Sequence, residues 1–107
     1  MLFRSLAYAL PYEGTHIVVF QDRILRMRGV HSVPRLLAHV MAHEITHILE
    51  GIGRHSGEGV MKAHWTKDDF VAMARKPLEF AKDDVELIQA GLVRRAGVRA
   101  ANLIAEK

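Results

Sequence analysis

The stretch AHEITHILEGIGRHSGEGVMKAHW, residues 42–65, holds four of the seven histidines in a chain of 107 residues. Just before it, Ser32-Val33-Pro34 has the form of a helix start, a serine cap with proline in the first turn. After Glu50 come Gly51 and Gly53, which suit a helix stop. The pattern predicts one helix from Ser32 to about Glu50, followed by an aperiodic loop over 51–64. On a wheel of about 100° per residue, Val33, Leu37, Ala38, Met41, Ile45, Ile48 and Leu49 fill about half the circle. A helix this apolar is expected to be largely buried. His39, His43 and His47 form a stripe, and Glu44 falls at the edge of the apolar arc. A carboxylate placed there is costly unless a cation or a donor meets it.

His43-Glu44-Ile45-Thr46-His47 supplies a reason for that cation. Two histidines at i and i+4 point the same way and can bind one zinc, with the glutamate between them reaching a water on the metal. A catalytic zinc takes three protein ligands and leaves one position open. His55 is the first candidate for the third, because glycines at the helix end allow the loop to swing back. His64, His31, His39 and Glu50 are the alternatives.

The rest of the chain reads outward from this helix. Leu6–Leu10 and His16–Phe20 are apolar, β-prone runs separated by the turn residues 11–15, and predict two strands. The continuous run His16-Ile17-Val18-Val19-Phe20 suggests burial on both faces. Residues 21–27 extend that strand or begin a short helix. Thr66-Lys67-Asp68-Asp69 has the form of a capping box and opens a helix to about Arg75, ended by Pro77. A last helix is expected from Lys82 to Arg95, with Asp83 and Asp84 in its first turn and Gly97 as its stop. The fold class is α+β, in one domain spanning residues 1–107.

Half of the residues are apolar and a quarter charged, an ordinary globular balance. There is no cysteine, which excludes a disulfide framework, a thiolate metal site and a thiol nucleophile. The net charge of +3 comes from scattered arginines, read as solvated helix faces rather than a nucleic-acid surface. The apolar patch near the N-terminus is shorter than the ~7–15 residues of a signal-peptide core. No run approaches the ~18 apolar residues of a membrane span. The expectation is a protein without nucleic-acid or membrane partners, cytoplasmic by default, its oligomeric state open.

Residues 40–65 resemble the site of the metzincin zinc peptidases, in the branch that includes the matrix metalloproteinases. The pattern of that family is His-Glu-x-x-His-x-x-Gly-x-x-His, often followed by serine, then a tight turn carrying methionine. Here it is met by His43, Glu44, His47, Gly51, His55-Ser56 and Met61, in that order. The stretch is also similar to small bacterial proteins of this type, with His-Ser and then Gly-Ile-Met after the helix. The family spacing would place glycine at 50 and histidine at 53, where this chain has Glu50 and Gly53. The family fold also has more strands before the site helix than this chain has room for. The chain then reads as a minimal member or as the C-terminal part of a longer catalytic domain.

The resemblance implies zinc on His43, His47 and His55, Glu44 as the general base, and Met61 as a hydrophobic base beneath the metal. It implies peptide or protein substrates bound along an edge strand. His64, three residues after Met61, is placed near the substrate as a hydrogen-bond donor. The expected activity is that of a zinc-dependent metalloendopeptidase. The rival expectation is a zinc-binding or interaction module without turnover.

Overall fold

The computed structural model describes residues 5–9 and 16–105. Leu10 and the turn residues 11–15 between the two predicted strands lie outside the described residues. The elements are strands β1 (Ala7–Ala9) and β2 (Ile17–Val19), then helices α1 (Gln21–Leu25), α2 (Val33–Glu50), α3 (Lys67–Arg75) and α4 (Lys82–Ala105). A 3-10 turn, Gly59–Met61, interrupts the loop after α2. The architecture is the α+β arrangement expected from the sequence, with residues 21–25 forming a helix rather than prolonging the strand.

The local rules that predicted α2 and α3 act as expected. The Ser32 hydroxyl accepts from the Arg35 amide, Pro34 lies in the first turn, and Gly51 closes α2 in the left-handed region at φ 74°. A residue with a Cβ is disfavoured in that conformation, so the glycine ends the helix cleanly. In α3 the capping box is complete: the Thr66 hydroxyl accepts from the Asp69 amide, and the Asp69 carboxylate accepts from the Thr66 amide.

Helix α2 is the axis on which the rest is built, and all the other helices and both strands pack on it. Strands β1 and β2 pair antiparallel, with Ala7 opposite Val19 and Ala9 opposite Ile17. The apolar core lies where Leu36 and Val40 of α2 meet Ala7 of β1, Ile24 of α1, and Phe70 and Met73 of α3. Leu6, Val19, Met27, Val30, Trp65 and Leu78 close around it. No helix among the described residues is long and apolar enough to cross a membrane.

Three expectations are corrected. The apolar arc of α2 does not face inward: Val33, Leu37, Met41 and Ile45 are 38–45% exposed. The inward face is instead Leu36, His39, Val40, His43, Glu44, Thr46, His47 and Glu50. Burying polar groups costs about 1–3 kcal/mol each when they are left unpaired, and here most are paired. His39 donates from Nδ1 to the Arg35 carbonyl and accepts at Nε2 from the Leu78 amide, at 2.7 and 3.0 Å. The Thr46 hydroxyl donates to the Ala42 carbonyl. Secondly, β2 is not buried on both faces, since Val18 is 36% exposed. Thirdly, α4 does not stop at Gly97 but continues to Ala105. A lone glycine costs a helix only about 1 kcal/mol, and the arginines and alanines around it favour continuation.

The two glycines of α4 are predicted to respond oppositely to alanine. At Gly91 the helix crosses α2 so closely that an added Cβ would lie 1.6 Å from the Leu49 carbonyl oxygen. At Gly97 nothing stands within 4 Å. Gly91→Ala is therefore expected to lose about 1–3 kcal/mol or more through overpacking, whereas Gly97→Ala gains about 0.5–1 kcal/mol of helix propensity. Urea melts of the two variants measure both signs; a stabilised Gly91→Ala would show that the α2–α4 approach is looser than described.

Candidate metal centre

Among the described residues, His43, His47 and His55 bring one nitrogen each to within 4.8 Å of one another. His43 and His47 are buried on α2, and His55 is exposed on the loop that follows. The ring centroids lie 4.8, 4.9 and 5.2 Å apart. The short loop from Gly51 to His55 thus folds back over the end of the helix that it leaves.

Hydrogen bonds fix which nitrogens point inward. His43 donates from Nδ1 to the Val60 carbonyl at 2.7 Å, and His47 from Nδ1 to the Ile52 carbonyl at 3.2 Å. Each bond holds the tautomer whose Nε2 is a bare lone pair, the form that binds a metal. The two Nε2 atoms then face each other at 3.1 Å. Two lone pairs at that distance repel unless a proton or a metal cation stands between them. The donor set of three imidazoles suits zinc and related transition metals, and the arrangement fits such an ion. The surroundings also disfavour protons on the rings. Burial, above all, pushes His43 down to about 4, and the neighbouring histidines add to the shift. Burial, and then the charge of neighbouring histidines, also lowers His47 and His55. Neutral histidines at ordinary pH are ligands ready for a cation.

Behind the triad lies a polar cluster that sequence reasoning missed. Asp84, read from the sequence only as a first-turn residue of α4, is fully buried. It accepts from Arg54 at 2.8 Å and from the Ser56 hydroxyl. These two donors flank His55, so the loop carrying the third histidine is fastened to α4 on both sides. Asp84 also raises the pKa of all three histidines by its negative field, though less than burial lowers them. A sequence signal for this role was lacking: Asp83 and Asp84 are equally good first-turn residues, and only one of them is buried.

Glu50, an alternative ligand in the sequence reading, does not join the triad. It is buried beside Asp84, with the Arg54 guanidinium 4.0 Å away, and neither of its oxygens has a donor within hydrogen-bonding reach. Burial first, and the neighbouring Asp84 second, push its carboxyl up to about 7. The folded state therefore holds a proton between about pH 4.5 and 7 that the unfolded chain has released. The contribution of this group to stability is present at low pH and is lost as pH rises through about 7. Glu50→Gln is expected to leave the metal-free protein equally stable near pH 4.5 and to stabilise it at about pH 8. Each tenfold difference in proton affinity between the folded and unfolded chain is worth about 1.4 kcal/mol, so the gain is on the order of 3 kcal/mol. Titrating groups remote from residue 50 are common to both proteins and cancel in the difference. Paired melts at the two pH values measure it, and an equal offset at both would refute the buried ionisation.

The remaining expected site residues surround the triad. Glu44 is buried, and burial pushes its carboxyl up to about 6 against a hydrogen bond from the Ala9 backbone of β1. Met61 is completely buried in the 3-10 turn, next to the Val60 carbonyl that holds His43. His64 is exposed, lines the same cleft as His55 and lowers the pKa of that ring. Trp65 sets its ring edge-on against His43 at 5.8 Å and His39 at 6.2 Å, which helps to fix both imidazoles. His39 has both nitrogens engaged in holding residue 78 to α2 and is a structural histidine. His31 is exposed before the start of α2 and is not among the clustered residues.

His43, Glu44, His55 and His64 open onto a cleft of about 740 Å3. Ser5, Leu6 and Ala7 of the β1 segment line it, together with Val40, Trp65 and Phe70. Fold and site together define a small α+β protein with a three-histidine cluster able to hold a metal ion. Comparison with known protein families, with characterised proteins and with solved structures finds no match to this chain.

Proposed function

We propose that the protein is a zinc-dependent metalloendopeptidase of metzincin-like type. The observation that carries the reading is the juxtaposition of Glu44 with His43 and His55 in one cleft. A site serving structure alone has no use for a buried carboxylate beside its ligands and is closed by four protein groups. His43, His47 and His55 would hold the metal. A zinc ion there supplies a Lewis acid that polarises a carbonyl and acidifies water.

The chain's own residues carry the remaining work. Glu44 accepts a proton from the attacking water and delivers it to the departing amine. In the metal-free chain burial pushes its carboxyl up to about 6, and a cation held by the histidines would draw it back toward the ionised form that a general base needs. The Ala9 backbone that binds Glu44 orients it from the β1 side. Among the described residues β1 pairs only with β2, and its segment borders the cleft, so an extended peptide can add to that edge. His64 and Trp65 also line the cleft and would confine a substrate there.

The test is metal analysis joined to cleavage. Protein expressed with zinc and dialysed is expected to retain about one zinc per chain and to cleave an unstructured protein such as casein. Phenanthroline is expected to stop cleavage, and added zinc to restore it. Retention of no zinc would sink the metal site, and zinc retention without cleavage of any peptide would leave only a metal-binding module.

A further inference from the structure

The cleft is unevenly charged. Among the described residues its lining contains Arg23, Arg26 and Lys62, and Glu44 is the one acidic residue. Lys62 is already neutralised by Asp69 at 2.7 Å. The two arginines are not. Arg23 uses one donor on the Ser5 carbonyl at 2.8 Å and lies over the Phe20 ring at 4.2 Å, which holds the guanidinium in place. Arg26, the C-cap of α1, is exposed and makes no side-chain hydrogen bond or ion pair among the described residues. Three residues apart, the two share one side of a helical turn. The cleft lining thus includes two arginines beside an apolar wall of Met27, Val40 and Phe70.

A guanidinium is a planar fork that matches a carboxylate through two parallel hydrogen bonds. Inside a concave surface with apolar walls its field is focused rather than dispersed. A neutral peptide would leave both arginines without a counter-charge; a basic one would be repelled. The apolar wall and the inward Glu44 carboxylate disfavour a phosphate backbone, which needs cations along its whole length.

We propose that this cleft selects peptides bearing an acidic side chain, whose carboxylate is received by Arg23 and Arg26 while the backbone passes the wall formed by His43, Glu44 and His55. The selection rests on the peptidase reading of that wall.

The test is equilibrium binding to the full chain carrying Glu44→Gln and loaded with zinc, so that nothing is cleaved. The probes are fluorescein-labelled degenerate octapeptides in which one position at a time is fixed as glutamate or as glutamine. At one position at least, glutamate is expected to bind about tenfold more tightly, the scale of one charge-assisted pair. Adding Arg26→Gln, an exposed change that leaves the fold intact, should remove most of that preference, and Arg23→Gln the remainder. Glutamate and glutamine sets that bind alike, no binding by either, or a preference that survives both substitutions would overturn the proposal. So would an oligothymidine that binds more tightly than every glutamate peptide. Wild-type protein that cleaves nothing while the variant keeps the acidic preference would remove the peptidase reading and leave the ligand class standing. Cleavage without acidic preference would do the reverse.

Discussion

Glu44→Gln is expected to keep the fold and the metal and to lose about 10²–10⁴-fold in peptide hydrolysis, the usual contribution of a positioned general base. The residue is buried on α2 beside His43, yet it is not part of the three-histidine cluster. Replacing it with the isosteric amide removes the proton acceptor but leaves the Ala9 contact a partner. The amide also relieves the cost of a buried carboxyl that burial has pushed up to about 6, so the variant should be no less stable than the parent near neutral pH. Zinc content, a thermal melt and single-turnover cleavage separate the three quantities. Cleavage at the parent rate would exclude Glu44 from the chemistry, and loss of zinc with the activity would recast it as a ligand.

His55→Ala should weaken zinc binding by orders of magnitude, because one of the three proposed protein ligands disappears. His64→Ala should leave affinity nearly unchanged and at most slow turnover. The geometry distinguishes the two residues clearly. The ring of His55 lies within 5.2 Å of both His43 and His47, whereas His64 is not part of the cluster and only borders the cleft. Both positions are exposed, so neither alanine opens a cavity and the comparison is not confounded by unfolding. Competition with a chelator of known affinity measures both. Equal losses would place His64 on the metal, and a reversed order would mean that the loop over 51–64 closes differently in solution.

Much of this arrangement was legible where the signals are local. The Ser32 cap, the Gly51 stop and the Thr66–Asp69 box depend on backbone groups within four residues, and each appears as read. The spacing of His43 and His47 guarantees that they share one face of a helix, and the glycine between 50 and 52 made the return of His55 credible. What depended on partners far along the chain was not legible. The wheel of α2 was read by hydrophobicity, which placed Val33, Leu37, Met41 and Ile45 inside; they are outside because the histidine face is the one whose hydrogen-bond partners converge. Asp84 could not be told from Asp83, since a first-turn aspartate is favourable whether or not it is buried. Gly97 misled because a stop signal without a following proline or a left-handed turn is weak against a run of good helix formers.

The grip of Asp84 on Arg54 and Ser56 also sets an order of events in folding. His43 and His47 are separated by a single helical turn, and they share one face as soon as α2 forms. The fastening of His55 spans 30 residues to Arg54 and 28 to Ser56, and it closes only when α4 has docked across α2. Closing loops of that size costs chain entropy that neighbouring residues on one helix never incur. The pair on α2 is therefore expected to assemble early, and the fastening of the third histidine late. A nascent chain with α2 formed but α4 still unmade already has two converging imidazoles, while the hold on the third waits for residue 84.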